Sequence, residues 1–226
     1  LQGNNTIDTN EMDAGGRSAY LRPRDAAAIV LIDRSAERWR VLMGKRSSRH
    51  VFMPESYVFP GGRCDPGDHA LPFSADLRPS VLEKLRIGPP ARLSAARARA
   101  MALAALRELT EETGLVPAGA APDLSCLRFA VRAITPPGRV RRYDTRFFVA
   151  FADEAAVDPA MARDSDELHD VRWLDIEGDP SLNIPKITRS VLTDVRTLLT
   201  TRPTLSVPDP VPFYRTLHGR ALRSIL

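Results

Sequence analysis

Glu108, Glu111 and Glu112 lie within five residues of one another in the run Arg107-Glu108-Leu109-Thr110-Glu111-Glu112-Thr113-Gly114-Leu115. On a helix that turns about 100° per residue, positions i, i+3 and i+4 share one face, so three carboxylates project together. Left alone they repel. Hard oxygen ligands gathered on one face are what Mg²⁺ or Mn²⁺ prefers, and such an ion bridges readily to substrate phosphates. The simpler alternative is a solvated acidic face with an Arg107 to Glu111 ion pair, as many surface charge runs are.

The element that must carry these residues is well marked. From Ser94, an N-cap residue type, to Thr113 the chain is rich in Ala, Leu, Arg and Glu and contains no Gly or Pro, and Gly114 stands where a helix C-terminal glycine belongs. Ala102, Ala105, Leu106 and Leu109 recur at helical spacing on another side, predicted to pack on a sheet. Ala26 to Ile32 and Trp39 to Met43 read as a strand hairpin, and Ser56-Tyr57-Val58-Phe59 runs into the turn Pro60-Gly61-Gly62. Leu127 to Ile134, Thr145 to Phe151 and Val171 to Leu174 read as further strands, Ile187 to Leu199 as a helix. After the proline-rich stretch 203–212 a short helical tail bearing Phe213 and Tyr214 is expected. Strands and helices mix without a regular βαβ repeat, which predicts an α+β fold with a mixed β-sheet flanked by helices.

Composition bounds the rest. With 43% hydrophobic residues the chain can bury one substantial core, predicting one domain over 24–226 after a flexible segment 1–23. No apolar run reaches the roughly 20 residues of a membrane span, so a soluble, cytoplasmic protein is expected. Cys64 and Cys126 stand apart without zinc-ligand spacing, and His50, His69, His169 and His218 form none either. The net charge of +4 comes with arginines spread along the whole chain, which reads mainly as a compositional bias towards Arg and also suits an anionic substrate.

The carboxylate run and the glycine turn together resemble the Nudix hydrolase signature: Gly, five residues, Glu, seven residues, Arg-Glu-U-x-Glu-Glu-x-Gly-U, with U aliphatic. Arg107 to Leu115 fits the second half throughout. Gly62 to Asp68 fits the first half with Asp68 in place of the glutamate, and a long insertion, about 69–99, separates the halves. The resemblance implies a Nudix α/β/α sandwich, with metal ligands at Gly61 (through a backbone carbonyl), Glu108, Glu111 and Glu112. It also implies that Asp68 orients Arg107 and that Glu111 binds metal or accepts the proton of the attacking water. A further acid from a distant loop often joins such sites, and Glu167 is the candidate.

Lys45 to His50, Phe52-Met53-Pro54 and Tyr57 to Arg63 are similar to the coenzyme A diphosphatase branch of the family, in its peroxisomal form and bacterial relatives, which carries a comparable insertion. This implies hydrolysis of coenzyme A or acyl-coenzyme A to adenosine 3′,5′-bisphosphate and a 4′-phosphopantetheine product, with Mg²⁺ or Mn²⁺ as cofactor. Arg46, Arg49 and Arg63 are candidate phosphate clamps, with solvated loop arginines as the alternative. Arg142 and Phe148 are candidates for phosphate contact and adenine stacking, although strand alternation also allows Phe147 or Phe148 a place in the core. ADP-ribose or a dinucleotide is the competing substrate, and a catalytically silent ligand sensor or RNA-binding module the competing class. The expected partner is a small nucleotide-derived molecule, with no membrane or nucleic acid, and a homodimer is left open. The insertion is open between lid, substrate wall, dimer contact and packing, and the C-terminal helix and tail occupy 187–226.

Overall fold

The central strand β1 (Arg24–Asp33) is apolar on both faces, and the structure buries both. In the computed structural model, which describes residues 21–47, 55–88, 93–205 and 210–226, Ala27, Ile29 and Leu31 point into one core and Ala28, Val30 and Ile32 into another. Successive strand side chains face opposite ways, so the two cores lie on opposite sides of one sheet. The first is covered by α2 (Ala95–Thr113), the second by α3 (Lys186–Thr201), whose Thr188, Val191, Leu192, Val195 and Leu199 form its buried stripe. This is an α+β fold with a mixed sheet between helices.

β1 pairs in parallel with β6 (Tyr143–Phe151) from Arg24 opposite Tyr143 to Ile32 opposite Phe151. Its other edge is divided. Ile32 and Asp33 pair with β2 (Arg40–Arg46), whereas Ala26, Ala27 and Ala28 pair with β4 (Gly61–Arg63). That division brings the glycine turn beneath α2. β2 also pairs with β3 (Tyr57–Val58) and with β7 (Leu168–Asp175), and β6 continues through β5 (Arg128–Ile134).

The predicted helix is present, with the Ser94 hydroxyl accepting the Arg97 amide and Gly114 in the left-handed region at φ 72°. The tail departs from expectation. It is a hairpin of β8 (Pro212–Leu217) and β9 (Arg220–Ile225), with β8 parallel to β5. His218 and Gly219 both take positive φ, the geometry of a two-residue hairpin turn, and buried Phe213 packs under the Arg132 guanidinium 4.6 Å from its ring centre.

The insertion packs into the core on the α2 side. Leu77, Leu85 on α1 (Pro79–Leu85) and Leu93 are buried in that core, and the last residues of 69–99 already belong to α2. Leu85→Ala is expected to cost about 2–5 kcal/mol in urea denaturation. A loss below about 0.5 kcal/mol would mean that the insertion is not part of the core.

Candidate functional site

The site grows from a single cation. Arg107, on α2, donates from Nε to Asp68 Oδ1 at 2.7 Å and from Nη2 to Asp68 Oδ2 at 3.2 Å. Its remaining donors reach Glu108 at 2.9 Å, Glu111 at 2.8 Å and the Arg63 carbonyl at 3.1 Å. Asp68 is 1% exposed and sits in a 3₁₀ turn over Pro66–Ala70, and its Oδ2 also accepts the Asp65 amide at 2.7 Å. With these bonds, Asp68 foremost, the Arg107 guanidinium is held above its ordinary pKa despite burial. The i, i+4 pair of Arg107 with Glu111 is therefore real, but it is one bond of a wider network.

The glycine turn fits against the helix because it has no side chains. A Cβ on Gly62 would lie 2.3 Å from Glu108 Oε1, and one on Gly61 would lie 2.5 Å from the Ala28 backbone. The Gly61 amide donates to Glu112 Oε2 at 2.7 Å. Burial pushes the Glu112 carboxyl up to about 8, opposed by that amide and by the charge of Arg46, and raised further by Glu108 and Glu167. Burial raises Glu108 as well, against the pull of Arg107. Glu111 is the most exposed of the three.

Across from the helix face, the segment Asp164-Ser165-Asp166-Glu167 completes a cleft of about 630 Å³ lined also by Glu111 and Glu112. Like charges crowd its walls, and two of its nearby carboxyls are held toward the protonated form. A divalent cation relieves this repulsion, and carboxylate oxygens are the donor set that Mg²⁺ or Mn²⁺ takes. Among the described residues, no three Asp, Glu, His or Cys side chains are gathered to enclose an ion by themselves. Glu108, Glu111 and Glu112 are the carboxylates that would lend it oxygens, although they do not by themselves form a three-ligand group.

The other expected residues divide. Arg46 lies close enough to influence Glu112, and Glu167 close enough to influence Glu108 and Glu112. Arg63 stands at the turn, half exposed, with Nε on Asp65 at 2.6 Å. Arg49 lies outside the described residues. Arg142 does not join the carboxylates: it donates to the Thr135 carbonyl at 3.0 Å and the Leu21 carbonyl at 2.6 Å. Phe148 is not a stacking surface. It is fully buried against Phe129 on the α2 side of the sheet, because the parallel pairing with Ile29 fixes which way it faces. Asp164, Ser165 and Asp166 line the cleft without having been singled out. The signal for them is the Asp-Ser pair, a turn-capping combination.

Residues 99–190 match the family profile described as NUDIX domain. A curated Caenorhabditis elegans relative with the provisional name nudix hydrolase 7 is 25% identical over 182 residues, 67% of this chain. The chain spans about half, 51%, of that relative's length. Among solved structures, a NUDIX hydrolase from Alicyclobacillus acidocaldarius superposes with a TM-score of 0.62 at 24% identity, covering 84% of this chain and 98% of the other. The NUDIX domain of Shewanella oneidensis NrtR, complexed with ADP ribose, superposes with a TM-score of 0.51 at 15% identity, covering 82% and 94%. The chain thus has the Nudix fold, with residues 99–190 similar to the NUDIX domain profile. Among the described residues, no helix is long and apolar enough to cross a membrane.

The Glu112 shift has a measurable consequence. A carboxyl at about 8 when folded, against an ordinary 4.5 when unfolded, binds more protons in the folded state. Its stabilising contribution is full below the lower value and is lost as pH rises through the upper one. Without divalent ions, the Tm of wild type is expected to fall relative to Glu112→Gln between roughly pH 5 and pH 8. Parallel melting curves across that range would contradict the assignment.

Proposed function

We propose that this Nudix domain is a divalent-metal-dependent pyrophosphohydrolase that cleaves the diphosphate linkage of a nucleoside diphosphate derivative, with coenzyme A or acyl-coenzyme A as the leading substrate. The observation that carries the reading is Arg107 pinned by Asp68, which sets Glu108, Glu111 and Glu112 against the Gly61-Gly62 turn at the edge of an acidic cleft. A diphosphate repels hydroxide because its oxygens share a high negative charge. Mg²⁺ or Mn²⁺ supplies charge neutralisation and an activated water in such sites.

The chain's own residues then have distinct tasks. Glu112, buried, and Glu108, half-buried one turn earlier on α2, would hold the ion. Glu111 is exposed enough to reach solvent and is the ligand or proton acceptor. Glu167 approaches from the opposite wall. Arg107 holds the array in register rather than meeting substrate, since its donors are engaged by protein oxygens. Arg46, close to Glu112, and Arg63, which is paired with Asp65, are candidate partners for substrate phosphates.

The resemblance of residues 45–63 supports coenzyme A, with Arg46 and the adjacent Ser47 at the end of β2, while Arg142 and Phe148 no longer contribute to that reading. ADP-ribose is the second reading, favoured by the ADP ribose complex of the Shewanella domain of like fold. An intact carboxylate set argues against a silent sensor. With Mg²⁺ or Mn²⁺, coenzyme A is expected to be hydrolysed to adenosine 3′,5′-bisphosphate and 4′-phosphopantetheine with kcat/KM at least about tenfold above that for ADP-ribose. Equal or reversed preference would overturn the coenzyme A assignment. Glu112→Gln is expected to lower kcat by roughly a hundredfold or more, and full retained activity would overturn the catalytic assignment itself.

A further inference from the structure

Glu167 reaches the cleft from a segment with no regular structure before β7 begins at Leu168. A loop acid held only by its own chain entropy would serve poorly as part of a metal site, because each unfixed residue costs about 1–2 kcal/mol to order. Here the backbone around Glu167 is fixed on every side. The Arg163 amide donates to the Thr113 carbonyl at 2.9 Å, tying the segment to the last turn of α2. The Arg163 side chain lies over Gly114, where a Cβ would come within 2.7 Å of its Nε. On the far side, the Ser47 amide donates to the Glu167 carbonyl at 3.0 Å. Leu168, fully buried, fits against Gly44, where a Cβ would lie 3.0 Å from its own.

Two side chains close the loop on itself. Asp164 accepts the Val171 amide on Oδ1 at 2.8 Å and the Asp170 amide on Oδ2 at 3.0 Å. Ser165 Oγ accepts the amides of Glu167 at 3.3 Å and Leu168 at 3.1 Å, and the Ser165 amide donates to the Leu168 carbonyl at 2.8 Å. Asp170 is in the left-handed region at φ 49°, a conformation that Asp tolerates better than most residues. Its carboxylate is in turn gripped by the Tyr57 hydroxyl and by Arg172. Although Asp164 lines the cleft, both of its oxygens are already engaged by amides, which suits a support better than a ligand.

We infer that Asp164, assisted by Ser165, is a positioning residue that holds Glu167 against the metal-binding face of α2. The inference rests on the reading that Glu167 completes the cation site. It assigns the Asp164-Ser165 pair a task separable from that of Glu108, Glu111 and Glu112.

Titration with Mn²⁺, following the electron paramagnetic resonance signal of the free ion, tests this without relying on turnover. Glu167→Gln is expected to weaken Mn²⁺ binding about tenfold. Asp164→Asn, which replaces one acceptor by a donor facing an amide, is expected to weaken it about three- to tenfold. The double variant should bind within about twofold of Glu167→Gln alone, because the support has no effect once its load is gone. Losses that multiply in the double variant, or wild-type affinity in Asp164→Asn, would overturn the inference. Should Asp164→Asn fail to fold, Ser165→Ala replaces it: about threefold weaker binding supports the inference, and unchanged affinity overturns it. Unchanged affinity in Glu167→Gln also overturns it, while the hydrolase reading is judged separately by the activity of Glu112→Gln.

Discussion

The bidentate pair of Arg107 with Asp68 joins two stretches of chain that the insertion holds far apart in sequence. Asp68 is almost wholly buried, so its charge must be matched, and Arg107 is the cation that matches it. Removing one member of a buried pair leaves the other uncompensated, typically a loss of about 3–5 kcal/mol. The same guanidinium reaches the Arg63 carbonyl, Glu108 and Glu111, so the turn, the 3₁₀ segment and the carboxylate face of α2 are fixed by one group. Gly62 then approaches Glu108 more closely than any side chain would permit. The geometry of the cleft follows from these contacts.

Much of this was legible in the residues themselves. The helix could be read because Ser94 and Gly114 mark its ends and no breaker lies between them. Gly61 and Gly62 could be read as a backbone turn after an apolar strand, and the structure adds that they extend as β4 pressed against Glu108. The aspartate at position 68 still serves: the 3₁₀ turn presents its carboxylate so that both oxygens reach Arg107.

Other features depended on information that local patterns do not hold. Which way Phe148 faces is set by its register against Ile29 on β1, a residue more than a hundred positions away. The C-terminal hairpin turns at His218-Gly219, a weaker signal than Asn-Gly, and its first strand is held by the distant Arg132 and Asp194. Arg142 is a phosphate-ligand residue by type, yet its Nε and Nη1 donate to backbone carbonyls of Thr135 and Leu21. Beyond their turn-capping type, Asp164 and Ser165 carry no distinguishing signal in the sequence, because Asp and Ser in a loop are common and only their amide partners set them apart.

The cleft joins two needs that conflict in water but are reconciled by a cation. Glu112 is buried and Glu108 half-buried where the helix docks, and their charges are then costly to maintain. On the proposed reading, a dication on the helix face would remove the cost and create the reactive site together. Anomalous diffraction from crystals soaked in Mn²⁺ tests this most directly. The account predicts a manganese peak within bonding distance of Glu112 and Glu108 on the face turned toward Glu167. A peak elsewhere on the molecule, with none on this face at saturating Mn²⁺, would contradict it.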